Sequence, residues 1–302
     1  MTDVPSPALD SPTAAIAAGT TMGAVSLTVS DLERARGFYE HALGLRPEEL
    51  EDGDVLFGAP GAPALVRLHG DAAAPPLDRT ATGLFHLAIL VPSRRELAQA
   101  LVRLAQARWP LDGVADHLVS EALYLSDPDG NGIEIYRDRP RQEWRHQGDQ
   151  LEMATLPLDL NDLANELSAV EAGQPRAPEG TTMGHVHLQV SDIPQAEAFY
   201  RGILGFDVTT RAYPGALFVS AGGYHHHLGL NTWHSRGSAP AAPGAVGLRS
   251  YEILLPDRSE LDRVLARVAA AGIETEPAGA GAGAGVTAVR DPSGNLVHLC
   301  AR

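Results

Sequence analysis

Residues 22–45 read MGAVSLTVSDLERARGFYEHALGL, and residues 183–206 read MGHVHLQVSDIPQAEAFYRGILGF. The two stretches align without a gap at an offset of 161 residues. In the first copy Val25, Leu27 and Val29 alternate with small or polar residues, a period that predicts a β-strand with one covered face. An amphipathic helix is predicted after each strand, because apolar residues then recur every three or four positions.

Each half of the chain contains a second repeated segment after the first. The segments that begin at Gly83 and Gly247 align at an offset of 164 residues. The same offset superposes DPDGN at 127–131 on DPSGN at 291–295, and both pentapeptides have the composition of turns. Similarity at a nearly constant period indicates a tandem duplication.

Each half of the duplication contains two related units, and each unit is predicted to fold as βαβββ. The fold class is therefore predicted to be α+β, with curved sheets that have helices on one face and a polar concave face opposite. The stretch AGAGAGAG at 278–285 is predicted to be a flexible loop. The predicted ranges are a flexible N-terminal tail at 1–20, a first half at 21–139, a linker at 140–180 with a short helix around Leu160–Val170, and a second half at 181–302.

The composition argues against several classes of partner. The formal net charge of the 302-residue chain is −15, so a basic surface that neutralises nucleic-acid phosphates is not expected. The chain has no apolar run of the roughly 18 residues that a membrane span needs. The single cysteine, Cys300, excludes an intrachain disulfide and suits a reducing compartment. Because the N-terminus lacks the pattern of a signal peptide, the chain is predicted to be cytoplasmic.

Strand alternation also predicts which side chains face the concave side of each sheet. The apolar residues of a strand face the helices, and their neighbours face the other way. In the second unit the residues expected to face the helix are Phe85, Leu87 and Ile89. The residues left for the concave face are His86, Glu134 and Tyr136 in the second unit and His185, His187 and Gln189 in the third.

Three of these residues fall at equivalent strand positions within the repeats: His86, His185 and Glu134. A lone strand histidine is more often a hydrogen-bonded polar residue than a ligand. Three possible ligands at repeat-equivalent positions favour a metal site. Two imidazoles and one carboxylate form the facial triad of non-haem iron(II) oxygenases, a ligand set that leaves coordination positions open.

The repeated units resemble the vicinal oxygen chelate superfamily, which comprises glyoxalases, bleomycin resistance proteins and dioxygenases. Within it, DHLVSEALYLSDPDGNGIEIY at 116–136, GHVHLQVSD at 184–192 and GGYHHHLGLNTW at 222–233 resemble the catechol 2,3-dioxygenases, which are extradiol ring-cleaving enzymes. The resemblance covers about residues 20–302. It implies two half-barrel domains, a catechol substrate, dioxygen, an Fe(II) cofactor with Mn(II) or Zn(II) as alternatives, and a 2-hydroxymuconic semialdehyde-type product of aromatic catabolism.

The resemblance also implies which units pair, since the family's iron ligands come from the first strands of two paired units and the last strand of one of them. Pairing the second unit with the third brings together His86, His185 and Glu134. The common extradiol layout uses the third and fourth units instead, which here offer no carboxylate. One metal site is therefore predicted, built across the two halves. The residues left at the equivalent positions of the first and fourth units are Ala24, Ser250 and His298.

The family's other site residues are assigned by the same alignment. Its acid–base histidine matches His226. Strand alternation argues instead that His225 and His227 face the substrate pocket, and His225 is the second candidate for the acid–base. Tyr124 has the spacing of the family's tyrosine to the carboxylate ligand, and His117 matches that tyrosine's histidine partner. A tyrosine that only forms a hydrogen bond in the core is the alternative.

Two other functions remain open. A metal-dependent glyoxalase-like isomerase or epimerase would have the same fold, but such sites usually contain two glutamates, or a glutamate with a glutamine. A non-catalytic protein that binds a small aromatic molecule usually lacks the three ligands. A homo-oligomer is a further expectation, and no motif determines which catechol is preferred.

Overall fold

The four units fold as βαβββ in the computed structural model, which describes residues 15–167, 175–277 and 286–302. The first unit comprises β1 (Thr21–Val29), α1 (Leu32–Gly37), β2 (Arg46–Glu49), β3 (Val55–Gly58) and β4 (Ala64–Gly70). The second comprises β5 (Gly83–Leu90), α2 (Arg94–Gln106), β6 (Gly113–Asp116), β7 (Ser120–Ser126) and β8 (Gly132–Asp138).

The linker and the second half follow the same order. The linker contains a 3₁₀ turn (Arg141–Glu143), β9 (His146–Gln147), β10 (Gln150–Leu151) and α3 (Leu160–Ala164). The third unit comprises β11 (Thr182–Gln189), α4 (Ile193–Glu197), β12 (Asp207–Thr210), β13 (Ala216–Ser220) and β14 (Leu228–Asn231). The fourth comprises β15 (Gly247–Leu255), α5 (Arg258–Ala270), β16 (Glu276–Pro277), β17 (Val286–Arg290) and β18 (Leu296–Ala301). Helices α1 and α4 continue as π-helical turns at Phe38–Ala42 and Ala198–Ile203.

Sixteen of the described strands form two eight-stranded sheets, each of which combines one unit from each half of the chain, and β9 pairs with β10 in the linker. The first sheet has the order β16-β17-β18-β15-β1-β4-β3-β2, which joins the fourth unit to the first. The second has the order β12-β13-β14-β11-β5-β8-β7-β6, so the predicted pairing of the second and third units is confirmed. At the centre of each sheet the first strands of two units run antiparallel, β1 against β15 and β5 against β11. The α+β fold with two half-barrel sheets is as predicted.

The core lies between the sheets and their helices. Strand β11 shows the predicted alternation: Val186 and Leu188 are fully buried in this core, whereas His185 and His187 line a cavity on the other face. Burying an aliphatic side chain of this size contributes about 1.5–3 kcal/mol. A shift of one residue would turn the histidines into the core, so the hydrophobic effect determines which face they occupy.

The DPDGN and DPSGN turns form hydrogen bonds that link the units of one sheet to those of the other. Asp127 of the first turn accepts a hydrogen bond from the Tyr39 hydroxyl at 3.2 Å, and Asp291 of the second accepts one from the Tyr200 hydroxyl at 2.8 Å. In each pair the tyrosine lies on the helical turn of a unit whose strands form one sheet, and the aspartate lies in a turn of a unit whose strands form the other. Each aspartate also accepts hydrogen bonds from backbone N–H groups of its own turn. The repeated pentapeptide is therefore a contact between sheets as well as a turn.

The end of the expected N-terminal tail packs against the body of the protein. Ile16 is only 5% exposed and belongs to the core, and its backbone N–H donates a hydrogen bond to the carbonyl of Gly205 at 2.8 Å. The backbone N–H of Ala17 donates to the carboxylate of Glu260. Residues 15–20 are thus held by apolar and polar contacts, while residues 1–14 lie outside the described ranges.

The linker helix is shorter than the Leu160–Val170 helix that was predicted. Helix α3 ends at Ala164, and residues 168–170 lie outside the described ranges. The glycine- and alanine-rich loop predicted at 278–285 also lies outside them. In the parts of the chain that the structure describes, no helix has both the length and the apolar character needed to cross a membrane.

Gly184, beside His185 in β11, has no room for a side chain. A Cβ at this position would overlap the hydroxyl of Tyr136 and would lie 2.6 Å from its Cζ. Tyr136 is fully buried, and its hydroxyl forms a hydrogen bond with Tyr224, so the ring cannot move aside. We expect Gly184→Ala to lower the free energy of unfolding by about 1–3 kcal/mol, as overpacking does. Urea denaturation measures this change.

A glycine with open space around it is the matched control for this change. Gly37 has helical backbone angles at the end of α1, and an added Cβ meets nothing within 4 Å. Gly37→Ala is expected to raise the free energy of unfolding by up to about 1 kcal/mol, because alanine restricts the unfolded chain. Equal destabilisation by both substitutions would contradict the steric argument.

Candidate metal centre

The three candidate ligands lie on three neighbouring strands of the second sheet. Strand β5 lies between β11, to which it is antiparallel, and β8, to which it is parallel. In this register Ala88 of β5 is opposite both His185 and Glu134. Ala88 has only a methyl side chain, so it leaves space above the sheet for the two larger side chains. His86 lies two residues earlier on β5 and therefore points to the same face.

The possible ligand atoms of these residues converge. Oε2 of Glu134 lies 3.0 Å from Nε2 of His86 and 3.0 Å from Nε2 of His185. The three ligand atoms all lie within 4.8 Å of one another, and all three side chains are buried. The predicted proximity of His185 and Glu134, which are 51 residues apart in the chain, is confirmed.

The hydrogen bonding of these residues fits a metal ion. Nε2 of His86 is buried and, among the described residues, lacks a partner with hydrogen-bond geometry, although it is close to Glu134. Leaving a buried nitrogen unsatisfied costs about 1–3 kcal/mol, and an ion between the three side chains would satisfy it. Two imidazole nitrogens and one carboxylate oxygen suit divalent transition metals such as iron, manganese and zinc.

The protonation states of the three residues also suit a metal. Burial by itself would raise the pKa of Glu134, but the neighbouring His185 and His86 outweigh it and hold that pKa well below its usual value. Burial lowers the pKa of His185 to about 4, against the opposing effect of the Glu134 carboxylate. At neutral pH the glutamate is therefore ionised and His185 is neutral, which are the forms that bind metal ions.

A cavity of about 200 Å³ lies directly in front of the three residues. The three residues that the alignment assigned to catalysis, His226, Tyr124 and His117, line this cavity. Trp233 is also part of its wall and is 42% exposed, so the cavity opens to solvent beside this ring. The cavity is also lined by residues that no sequence pattern indicated: Phe85, Ser120, Met153, Thr155, Tyr213 and Phe218.

Tyr124 and His117 form a hydrogen-bonded pair on the cavity wall. Nε2 of His117 lies 2.7 Å from the Tyr124 hydroxyl, and Nδ1 lies 2.7 Å from the carbonyl of Ala154. A carbonyl can only accept, so a neutral His117 has its hydrogen on Nδ1 and accepts the Tyr124 hydroxyl hydrogen at Nε2. Burial, and then the charge on Glu134, raise the pKa of Tyr124 well above its usual value, so the hydroxyl keeps its proton.

The three consecutive histidines of GGYHHHLGL point to different places. His226 lines the cavity that contains the three candidate ligands. His225 lies behind His226, with its Nε2 2.8 Å from Oδ1 of Asp138. His227 lines a separate cavity formed by both sheets, and its Nδ1 accepts a hydrogen bond from the Ala221 N–H at 3.1 Å. The structure thus places His226 on the cavity wall and directs His225 and His227 elsewhere, contrary to the expectation from alternation.

The expectation from alternation fails here because these histidines precede the regular strand. Strand β14 begins only at Leu228, and its apolar residues face the core as predicted. Gly222 and Gly223, which have φ of 60° and 66°, form a left-handed turn that only glycine adopts without strain. The segment after this turn brings the His226 ring to 4.1 Å from the His185 ring, measured between centroids.

Phe85 also differs from its predicted orientation, because it lines the cavity instead of facing the helix. The pairing of β5 with β11 is irregular at this point: His187 is opposite His86, whereas the next residue, Leu188, is opposite Leu84. Phe85 is therefore the extra residue of a β-bulge, which turns it to the same face as its neighbour. Its ring lies 5.0 Å from the ring of His187 between centroids.

The equivalent face of the first sheet carries different side chains. His298 occupies the position that corresponds to Glu134, and Glu252 accepts a hydrogen bond from the backbone N–H of Ala24 at 3.0 Å. Arg67 projects onto the same region, where burial and then its positive charge lower the pKa of His298. The charge of Arg67 disfavours a bound cation, and among the described residues no three possible ligands converge on this face, so it is a poor metal site, as predicted.

Comparisons with known proteins agree with this architecture. The model of the Glyoxalase/Bleomycin resistance protein/Dioxygenase superfamily matches residues 21–135 and 182–299. The protein named Catechol-2,3-dioxygenase of Bacillus subtilis (strain 168) is 45% identical over 261 residues, which cover 85% of this chain and 90% of that protein. The predicted resemblance is confirmed, and the chain is a catechol-2,3-dioxygenase-like enzyme.

Solved structures share the fold at lower identity. A Bacillus subtilis (strain 168) protein has a TM-score of 0.63 at 15% identity and covers 95% of this chain and 86% of that one. Glyoxalase I from Zea mays has a TM-score of 0.57 at 16% identity and covers 93% of this chain and 92% of that one. At these identities the likeness shows the fold alone. From its repeats, its paired sheets and these matches, the chain belongs to the Glyoxalase/Bleomycin resistance protein/Dioxygenase superfamily.

Proposed function

We propose that the chain is an extradiol ring-cleaving dioxygenase that uses Fe(II) and dioxygen to open catechol or a substituted catechol. The observation that supports this most is the convergence of His86, His185 and Glu134 on one side of an aromatic-lined cavity. The relative that is 45% identical, and that is named catechol-2,3-dioxygenase, supports the same reaction. The expected product is a 2-hydroxymuconic semialdehyde.

In this proposal His86, His185 and Glu134 hold the metal. Bound Fe(II) would supply open coordination positions at which a catechol and dioxygen bind side by side. Because the three residues provide only one negative charge, the site retains positive charge and favours a substrate that ionises on binding. Mn(II) and Zn(II) accept the same donor atoms and are the alternatives.

The cavity is suited to a single aromatic ring. Phe85, Phe218 and Trp233 line its wall, and its volume is about 200 Å³. Aromatic side chains pack against an aromatic substrate edge-to-face or offset, which contributes about 0.5–1.5 kcal/mol per pair beyond buried area. Filling the cavity with substrate also removes water from the polar groups beside it, which strengthens their electrostatic interactions.

The polar residues of the cavity can transfer a proton and stabilise negative charge on the substrate. Burial, and then the nearby His185, lower the pKa of His226 well below its usual value, so this imidazole is neutral before substrate binds. A neutral imidazole can accept a hydroxyl proton and return it later, a role that typically contributes about 10²–10⁴ in rate. Tyr124 lies directly opposite Glu134 in the sheet, and its hydroxyl would stabilise an anionic substrate oxygen by turning its hydrogen from Nε2 of His117 to the substrate.

Oxygen uptake tests the proposed reaction. We expect anaerobically prepared protein loaded with Fe(II) to consume dioxygen and catechol in equal amounts and to form a yellow product, because both oxygen atoms enter the opened ring. An oxygen electrode and the visible spectrum measure this across a panel of catechols. Removal of the metal with a chelator is expected to stop the uptake, and Fe(II) is expected to restore it.

The alternative functions predict other outcomes of the same experiment. Turnover of a non-catechol substrate without oxygen, with zinc or nickel bound, would indicate an isomerase or epimerase. Tight binding of an aromatic molecule without bound metal or turnover would indicate a binding protein. Either outcome would overturn the proposed dioxygenase. Other expectations stay predictions. They are the division into halves at 21–139 and 181–302, a cytoplasmic location, a homo-oligomer, and the lack of nucleic-acid or membrane partners.

A further inference from the structure

A continuous row of hydrogen bonds lies behind His226. Nδ1 of His226 is 2.8 Å from Nδ1 of His225, and Nε2 of His225 is 2.8 Å from Oδ1 of Asp138. The side chain of His225 is fully buried, whereas that of Asp138 is 27% exposed. The row therefore runs from the protein surface to the ring that lines the cavity.

The rings of this row are held in place by packing. The ring of His225 packs against that of Tyr224, whose centroid is 4.0 Å away, and against that of Trp144, whose centroid is 5.4 Å away. The Tyr224 hydroxyl donates a second hydrogen bond to Oδ1 of Asp138 at 3.2 Å. Asp138 is at the end of β8, four residues after Glu134, so the strand that contributes the candidate carboxylate ligand also contributes the end of the row.

The carboxylate determines the direction of every hydrogen bond in the row. An ionised carboxylate only accepts, so Nε2 of His225 must carry hydrogen and donate to Asp138. Nδ1 of a neutral His225 is then an acceptor, and Nδ1 of His226 must carry hydrogen and donate to it. The reverse order would place the lone pair of His225 Nε2 against the lone pairs of Asp138 at 2.8 Å, which is repulsive.

We propose that Asp138 and His225 are positioning residues that fix His226 with its hydrogen on Nδ1, so that its Nε2 faces the cavity as a proton acceptor. The catalytic meaning of this arrangement rests on the proposed function. When a catechol binds, its hydroxyl O–H bond breaks and an N–H bond forms at Nε2, which leaves an imidazolium and a catecholate. His226 thus acts first as a base, and the same N–H is then available as an acid.

Nitrogen-15 NMR of histidine-labelled protein tests the inference without turnover. The chain is measured metal-free and with Zn²⁺, a diamagnetic substitute for iron, and signals are assigned from His225→Phe and His226→Gln variants. We expect the unchanged chain to show His226 with hydrogen on Nδ1 only and His225 with hydrogen on Nε2 only. A His226 with hydrogen on Nε2, or a His225 with hydrogen on both nitrogens, overturns the proposal.

Substitution of the carboxylate adds a functional readout. Asp138→Ala removes the acceptor that orders the row, so His226 is expected to show a mixture of both ring forms. With catechol, kcat is expected to fall about 2- to 10-fold while KM changes little, because the binding contacts remain but only the fraction of molecules with hydrogen on Nδ1 of His226 can accept the substrate proton at Nε2. An unchanged His226 ring form in this variant, or a loss confined to KM, contradicts the role of Asp138.

Tyr224→Phe is the matched control, since it removes the Tyr224 hydrogen bonds to Asp138 and Tyr136 but keeps the ring against His225 and leaves the bond between His225 and Asp138 in place. The ring forms and kcat are expected to stay close to those of the unchanged chain. The proposed dioxygenase function and the positioning role of Asp138 and His225 can be refuted independently. The expected ring forms in a protein without oxygen uptake would refute only the dioxygenase, whereas active dioxygenase with other ring forms would refute only the positioning role.

Discussion

The Glu134→Ala chain is expected to lose its iron, whereas the His298→Ala chain is expected to keep it. Glu134 provides the only carboxylate of the triad, and its Oε2 lies 3.0 Å from Nε2 of both His86 and His185. Without it, a divalent ion would be buried against two neutral imidazoles, and the desolvation of its charge would be uncompensated. The iron content is expected to fall from about one atom per chain to a small fraction of that, with loss of oxygen uptake.

His298 is a fair control because it occupies the position equivalent to Glu134 in the other sheet. Its neighbour Arg67 already disfavours a cation there, so its removal is expected to leave the iron content unchanged. Elemental analysis after anaerobic reconstitution measures both variants, and thermal unfolding shows whether each has folded. Equal iron loss in the two variants would refute a single metal site in the second sheet.

The His226→Gln chain is expected to keep its iron and lose most of its turnover. Glutamine can still form a hydrogen bond with His225, but it has no basic nitrogen that takes up a substrate proton. The expected loss in kcat is about 10²–10⁴, which corresponds to about 3–5 kcal/mol in the activation free energy. Steady-state oxygen uptake measures kcat, and elemental analysis confirms that the metal is retained.

His227→Gln controls for the disturbance of this crowded histidine segment. His227 directly follows His226 in the chain, but its ring lines the cavity between the two sheets, where its Nδ1 accepts a hydrogen bond that glutamine can also accept. We expect kcat of this variant to stay within a few-fold of the unchanged value. A loss as large as that of His226→Gln would show that the whole segment matters for folding and that His226 has no special role.

Regular strands are where the sequence located site residues well. His86, Glu134 and His185 lie on β5, β8 and β11, whose apolar residues alternate over several positions, so the helix-facing side defines the concave side. Phe85 was assigned to the wrong face because a bulge interrupts the alternation, and a bulge depends on the partner strand. The family alignment indicated that His226 lies at the site. Strand periodicity indicated its neighbours His225 and His227 instead.

The linker contributes to the cavity in a way that no pattern in the chain indicated. Met153 and Thr155 line the cavity, and the carbonyl of Ala154 between them holds His117 in its orientation. Residues 140–180 have no counterpart in the repeat, so neither alignment nor periodicity predicts which of them approach the site. Their position results from backbone hydrogen bonds between this segment and the strand that contains Asp116.

The amino-acid sequence by itself determined the four units, the apolar face of the regularly alternating strand segments, and the chemical types of the side chains on the opposite face, because these follow from local periodicity and residue type. The family resemblance predicted that the second and third units pair, but only the tertiary structure decided the strand register, which places Ala88 opposite both His185 and Glu134 and leaves room for the three side chains to converge. It also decided between the family alignment, which indicated His226, and strand alternation, which indicated His225 and His227: of the three, His226 lines this cavity. Convergence of this kind depends on the register between strands that are far apart in the chain, and packing of the whole sheet sets that register.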